Sequence, residues 1–521
     1  MVMAARPEAV TATSRRTALV RLAVPLSFLA GALAVPGFAP WGFWPLTLVA
    51  FTIYQYLLFA RPDKGVRLGL AFGLGMFGLG VNWVRISLHD YGGLGLPEAL
   101  LLTGLLVIYL SCYPMMHGWL VSRLDRRPLV VSMLLSPVFW VLLEWLRGQA
   151  FTGFPWLAAG YSQTDSLLGG LAPLGGVFTV SYALVLTAAL LAGLPRLRHP
   201  AAFVWSGIGL LVLWGLGWLA GAHEWTEPAG EPVRVSLLQG NIDQAEKWKP
   251  EMRDITIARY TRMTRNEWYD GDWGARLVVW PESAIPAFAD QVEEAVIRPL
   301  IREAASVGGG LLIGVPVLDR TDWRYYNAVM AVTGDGVNYY YKHHLVPFGE
   351  FLPLREWLGN LIEVMPLPVA DFSAGALDQP LLQVAGQPVR ASVCYEIAFG
   401  NEIRHGLPEA RLLVNVSNDA WFGDSIAASQ HFQMARMRAL ETGRWVLRAT
   451  NTGITGAIDD KGQVVSRAPR GEIAVVRAEA VPMRGSTPYV ALGDAFILIY
   501  CALFLPLMFR TGREGKPGAG N

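Results

Sequence analysis

Charge is scarce in this chain of 521 residues: 16% are Asp, Glu, Lys or Arg and 53% are hydrophobic, against about 25% and 45–50% in an average soluble protein. That deficit points to lipid as part of the solvent. Neither sign is in excess, with 43 Lys and Arg against 42 Asp and Glu, so neither a nucleic-acid partner nor an acidic disordered chain is expected. Cysteine is nearly absent. Cys112, Cys394 and Cys501 are too few and too scattered for a disulfide framework or a zinc site. The eight histidines show no H-E-x-x-H pattern and no Cys/His ligand spacing, so no metal and no cofactor is expected.

What is abundant is long apolar runs. Stretches of the length that crosses a hydrocarbon core, about 20 residues, lie near 17–35, 42–60, 66–84, 97–122, 129–146, 168–194 and 201–220, and an eighth at 490–509. The first is longer than the apolar core of a signal peptide and is read as a retained span. The third carries Gly69, Gly73, Gly75, Gly78 and Gly80, spaced for close helix contact in lipid. Lys and Arg collect in alternate short loops: Arg6, Arg15 and Arg16; Arg61, Lys64 and Arg67; Arg123, Arg126 and Arg127; Arg196 and Arg198; Arg510, Arg513 and Lys516. The intervening loops offer only Arg85 and Arg147. Positive charge stays on the cytoplasmic side, which puts both termini there and the region after the seventh span on the opposite face. The expected division is a membrane domain over 1–221, an extracytoplasmic domain over 222–488, and an eighth helix with a basic tail over 489–521.

From 222 to 488 the texture changes. Short apolar strands are expected at 233–239, 276–280, 311–317, 327–333, 389–393 and 411–416, with helices at 250–268, 290–306 and 426–447. Near-continuous apolar strands of this kind sit inside layered sheets, so an α/β layered domain is expected.

Three strand ends carry polar residues that a plain core does not need. Glu282 follows Trp280 and Pro281; an acid there is more often solvated or a helix cap. Lys342 stands among aromatics, with Glu350 eight residues on; a lysine stem lying over aromatic surface is the bland reading. Cys394 ends a strand, and an isolated cysteine is usually an inert small hydrophobe. On the oxidising face, however, an unpaired thiol calls for a chemical explanation. Together a thiol, a lysine and a carboxylate make a complete kit for acyl transfer: nucleophile, oxyanion donor and base.

In that order, WPES, YYKHHLVPFGEF and SVCYEIAFG resemble the Glu-Lys-Cys signature of the nitrilase (carbon-nitrogen hydrolase) superfamily. Gln239-Gly240-Asn241, the run Asn415 to Gly423 and the run Arg448 to Gly453 add to the match. With seven spans before this domain and one after it, the whole chain resembles the bacterial apolipoprotein N-acyltransferase family. The resemblance implies an αββα catalytic domain on the periplasmic face of the inner membrane, inserted among eight spans. It implies a phospholipid acyl donor, a diacylated apolipoprotein acceptor, the bilayer as a partner and a single copy of the chain. Cys394 would form a thioester, Glu282 act as base and Lys342 bind the oxyanion. Glu350 and Glu396 would assist or form a structural ion pair. Trp248, Tyr395 and Trp421 lie in or beside motif segments and would line the acyl path or pack in the core. Phe351 to Met365 has the apolar spacing of an interfacial lid or of an ordinary packed helix, within the loop 354–385. Two other readings stay open at this point: a membrane-tethered amidase or nitrilase-type hydrolase, and a non-catalytic lipid-handling scaffold.

Overall fold

The computed structural model describes residues 22–197, 199–352 and 371–508. Arg6, Arg15, Arg16, Arg198, Arg510, Arg513 and Lys516, and the candidate lid beyond Leu352 up to residue 370, lie outside them.

Apolar helices stand at every hydropathic run, but not all are long. Leu96–Ser122, Leu129–Arg147, Leu167–Arg196 and Pro200–Ala222 are long and apolar enough to cross a membrane unaided. Pro62–Gly80 makes a fifth only if joined to Val84–Tyr91 across a 54° bend. Among the described residues, Leu22–Gly37, Trp44–Ala60 and Ala495–Met508 are shorter. Helix length among the described residues therefore supports four or five crossings where hydropathy predicts eight, and part of the difference is local. Gly493, with φ +57°, splits Pro488–Leu492 from the helix that follows, and an apolar window averages straight over such a break. Four of the five glycines of the third run are packing sites. A Cβ at Gly69 would run into the Pro114 carbonyl of the helix Leu96–Ser122, and one at Gly75 into the Phe28 carbonyl; Gly78 faces open space. Arg147, expected in a loop, is buried and donates to the carbonyls of Phe154 and Trp156 at 2.8 and 2.6 Å, so it does not mark a membrane side.

The second half is built on two six-stranded sheets. The first comprises β2 (Val233–Gln239), β3 (Leu277–Val279), β4 (Gly310–Asp319), β5 (Arg324–Thr333), β6 (Gly336–Tyr341) and β13 (Ala474–Ala480), in the order β13-β2-β3-β4-β5-β6. The second comprises β7 (Leu382–Val384), β8 (Gln387–Val393), β9 (Leu412–Ser417), β10 (Val446–Thr450), β11 (Gly456–Ile458) and β12 (Val464–Arg467), in the order β12-β11-β10-β9-β8-β7. In each, three central strands are parallel, β2-β3-β4 and β8-β9-β10. A small ribbon of β1 (Thr226–Pro228) with β14 (Met483–Gly485) closes the ends of the domain. Leu237, Val279 and Leu312 of one sheet meet Val393, Val414 and Leu447 of the other in a common core. The outer face of the first sheet is covered by Pro250–Tyr269 and Arg298–Val307, through Tyr260, Trp268, Leu300 and Ala304. The outer face of the second is covered by Ala427–Thr442, through Phe432, Ala435 and Ala439. This is an αββα sandwich, with central strands buried on both faces, which is why they read as unbroken apolar runs.

The helix expected over 426–447 stops earlier. Gly443 takes φ +60° as its C-terminal cap, the conformation glycine adopts at no steric cost, and the chain re-enters as β10. The helix Ala427–Thr442 also joins the two halves of the molecule. Gln430 accepts from the indoles of Trp156 (2.7 Å) and Trp83 (3.3 Å). Glu441 Oε1 accepts from the Val177 N–H (2.8 Å) where the helix Ala172–Gly193 is broken at Gly175 and Gly176, and from Arg438 (2.9 Å). Arg438 and Glu441 are 1% and 0% exposed. Removing one partner of a buried pair leaves the other uncompensated, at about 3–5 kcal/mol. Glu441→Ala is therefore expected to lower unfolding stability in detergent by that amount, and Glu441→Gln, which keeps the acceptor for Val177, by less. Unchanged thermal unfolding of Glu441→Ala would contradict this role.

Candidate active site

Glu282, Lys342 and Cys394 come together where β3, β6 and β8 end, the place where strands of such sheets present ligand-binding groups. Glu282 leaves β3 through Trp280 and Pro281 and is 8% exposed. It is seated by Gly314 of β4, where a Cβ would come within 2.5 Å of the Glu282 Cα; only glycine lets the two backbones lie so close. Asn327 opens the buried run of β5. One of its amide hydrogens goes to Glu282 Oε1 (2.7 Å) and the other to Glu350 Oε1 (3.0 Å). The register that pairs Ala328 with Tyr341 places Lys342 opposite Asn327, and the Lys342 N–H donates to the Asn327 carbonyl at 2.8 Å. The ammonium of Lys342, 1% exposed, meets Glu350 Oε2 at 2.7 Å.

Cys394 follows β8 at the start of a short turn of helix and is partly exposed. Its φ is +51°, left-handed for a residue with a Cβ, and Ser283 beside Glu282 has φ +48°. Such conformations cost of order 1–3 kcal/mol and persist where the surroundings hold them. At Cys394 those surroundings are explicit. Its carbonyl accepts from His431 Nε2 at 3.1 Å and from Asn415 Nδ2 at 3.4 Å. His431 is in turn held by Arg448 Nη2, 2.9 Å from Nδ1, beside Asp419. Burial and Arg448 both push the imidazole toward its neutral form, so Nε2 carries the proton and Nδ1 accepts from Arg448. Burial works against ionised Asp419, yet Arg448, which donates to Oδ2 at 2.9 Å, and the Ser417 hydroxyl, which donates to Oδ1 at 2.8 Å, hold its carboxyl well below the usual range. Glu396 ties the turn to the lysine loop: Oε2 accepts from the Val393 N–H (2.6 Å), and Oε1 from Tyr340 Oη and the N–H groups of His343 and His344 (2.9, 2.7 and 3.1 Å). It is a staple between two of the three strand ends.

The charges interact across this site. Burial raises the Glu282 carboxyl and Glu350 adds to that, against Lys342, Asn327 and Lys247. Burial lowers the proton affinity of Lys342, but Glu350 and Glu282 outweigh it and keep the ammonium charged. Burial and Glu282 push the Cys394 thiol up to about 12, against Lys342. Together these influences favour the protonated thiol over a standing thiolate, with Lys342 pulling the other way.

Tyr395 points to the membrane half. Its hydroxyl donates to the Gly153 carbonyl at 2.9 Å and its ring stacks on Trp156 with centroids 6.1 Å apart. Trp421 is partly exposed at the same junction, its carbonyl accepting from Ser87 Oγ (2.7 Å) and its ring edge-on to Tyr91. Trp248 is 54% exposed on the segment after β2. Cys112 and Cys501 sit in apolar helices of the membrane half, away from these strand ends. Sequence reading missed Asn327, His431 and Lys247. For Asn327 the signal was an amide at the mouth of an apolar strand; for the other two there was none.

A family model described as "Apolipoprotein N-acyltransferase N-terminal domain" matches residues 30–190, and one described as "Carbon-nitrogen hydrolase" matches residues 234–487. The chain is 46% identical to the apolipoprotein N-acyltransferase of Methylococcus capsulatus, over 94% of this chain and 98% of that protein. It is 42% identical to that of Nitrosomonas europaea (92% and 95%) and 43% identical to that of Azotobacter vinelandii (95% and 96%). With identity of this degree running almost end to end, through both the apolar helices and the αββα domain, the chain belongs to the apolipoprotein N-acyltransferase family.

Proposed function

We propose that the protein transfers an acyl chain from a phospholipid to the N-terminal α-amine of a diacylglyceryl-cysteine on an apolipoprotein, through a thioester on Cys394. Glu282 takes the thiol proton as the sulfur attacks the ester carbonyl. Lys342 and the N–H of Tyr395 receive the charge that develops on oxygen. The ester C–O bond breaks, Glu282 returns its proton to the departing glycerol oxygen, and a lysophospholipid leaves. The acceptor amine then attacks the thioester, Glu282 takes its proton, and as the C–S bond breaks Glu282 passes that proton to sulfur, regenerating the thiol and the ionised base. Glu350 holds Lys342 in line, while Glu396 and His431 hold the backbone on either side of the sulfur.

The observation that carries this reading is the meeting of a buried carboxyl, a buried ammonium and a left-handed cysteine at three strand ends. The contacts of Tyr395 with Gly153 and Trp156 favour a donor that arrives from lipid. Eight membrane crossings, cytoplasmic termini and a catalytic domain over 222–488 on the extracytoplasmic face of a bacterial inner membrane complete the proposal. Trp248 and Trp421, exposed near the site, are its apolar rim, and one copy of the chain suffices.

A diacylated lipopeptide with a free α-amine, incubated with enzyme and phospholipid, is expected to gain the mass of one acyl chain, and its N-acetylated form to gain none. Acylation of the N-acetylated peptide would contradict the assignment of the acceptor. A reporter inserted after Lys247 is expected to read as extracytoplasmic; a cytoplasmic reading would reverse the topology.

A further inference from the structure

One buried charge beside the site has no part in these steps. Lys247, between β2 and the helix Pro250–Tyr269, is 2% exposed, and its Nζ donates to the main-chain carbonyl of Glu282 at 3.2 Å. Burying an ammonium is costly unless it is compensated. Among the described residues Lys247 makes no ion pair, and the acid that acts on its charge is Glu282. Burial brings its proton affinity down to about 8, with Glu282 pulling the other way. The groups facing the Glu282 carboxyl are Lys342, Glu350, Asn327, Cys394 and Lys247. Of the two cations, Lys342 is engaged by Glu350 at 2.7 Å, whereas Lys247 is shared with no other carboxylate.

We infer that Lys247 is a positioning residue for the base: its ammonium pins the backbone at the end of β3 and biases the Glu282 carboxyl toward the ionised form. The inference rests on the reading of Glu282 as base. Only ionised Glu282 accepts the thiol proton, so acylation falls as pH drops through the Glu282 titration. Loss of a neighbouring positive charge moves that fall to higher pH.

The test follows thioester formation on the full-length protein in detergent with phospholipid, by mass, from mildly acidic to mildly alkaline pH. For Lys247→Met the acid limb is expected to move up by about one pH unit, a roughly tenfold loss of rate on the acid side, with the alkaline plateau held within about twofold of wild type. Lys247→Arg restores the wild-type limb. Should Lys247→Met not fold, Lys247→Gln keeps a donor for the Glu282 carbonyl and carries the same expectation. A rate lowered equally at every pH, or an unmoved limb, overturns the inference while leaving Glu282 as base. Undiminished acylation by Glu282→Gln overturns both.

Discussion

Cys394→Ala is expected to abolish transfer, by on the order of 10⁴-fold or more, while the protein remains folded. The substitution removes the sulfur proposed to carry the acyl group, and the residual rate is whatever binding and the oxyanion donors supply alone. Cys394→Ser is expected to be almost as inactive, because an alcohol is a far weaker acid than a thiol and a carboxylate cannot deprotonate it usefully at neutral pH. The other cysteines are the control. Cys112 is held within its own helix, its thiol donating to the Ile108 carbonyl at 3.4 Å, and Cys501 is buried in the last helix; alanine at either position is expected to retain activity. The readout is the mass of a diacylated lipopeptide before and after incubation, alongside thermal unfolding of each variant. Normal turnover by Cys394→Ser would remove Cys394 from the chemistry.

Glu282→Gln is expected to lower acylation by about 10²–10⁴-fold, the usual worth of a positioned base. The amide keeps the shape and still accepts from Asn327, so little else changes. In the wild type the pH dependence has a definite sign. Burial and Glu350 raise the carboxyl above its ordinary range, and the active form is the ionised one. The rate therefore falls with decreasing pH, and begins to fall at a higher pH than an ordinary glutamate would give. A pH profile of Cys394 acylation that stays flat down to the ordinary carboxylate range would contradict the role, as would a Glu282→Gln rate within a few-fold of wild type.

Both variants act on residues that were legible in the sequence, and the reason is geometric. Glu282, Lys342 and Cys394 each follow an apolar strand, and polar residues at the ends of buried strands stand out against the run before them. β2, β4, β8 and β9 were legible for the same reason. What surrounds the three was not legible. Asn327 binds both Glu282 and Glu350, but one amide at a strand's start looks like a turn residue until β5 and β6 are paired. Glu396 reads as a third acid near Cys394; its four hydrogen bonds to Val393, Tyr340, His343 and His344 come from strands brought together only by the sandwich. His431 lies on a helix whose pattern reports burial, not that the imidazole supports the Cys394 carbonyl. β13 and the strands β10 to β12 were missed because they are short, or interrupted by charge at alternate positions, as in Ala474–Ala480. In the membrane half, hydropathy located every described apolar helix but not the breaks within them, since Gly493 and the Gly175-Gly176 break interrupt helices without interrupting apolar sequence.

The most direct test of the chemistry is the covalent state of Cys394 in wild-type protein given phospholipid and no acceptor. The expected result is an acyl adduct, located on Cys394 by peptide mass, cleaved by neutral hydroxylamine as a thioester is, and discharged by a lipopeptide with a free α-amine but not by its N-acetylated form. Steady release of free fatty acid without lipopeptide, at a rate matching turnover, or an adduct on any other residue, would contradict it.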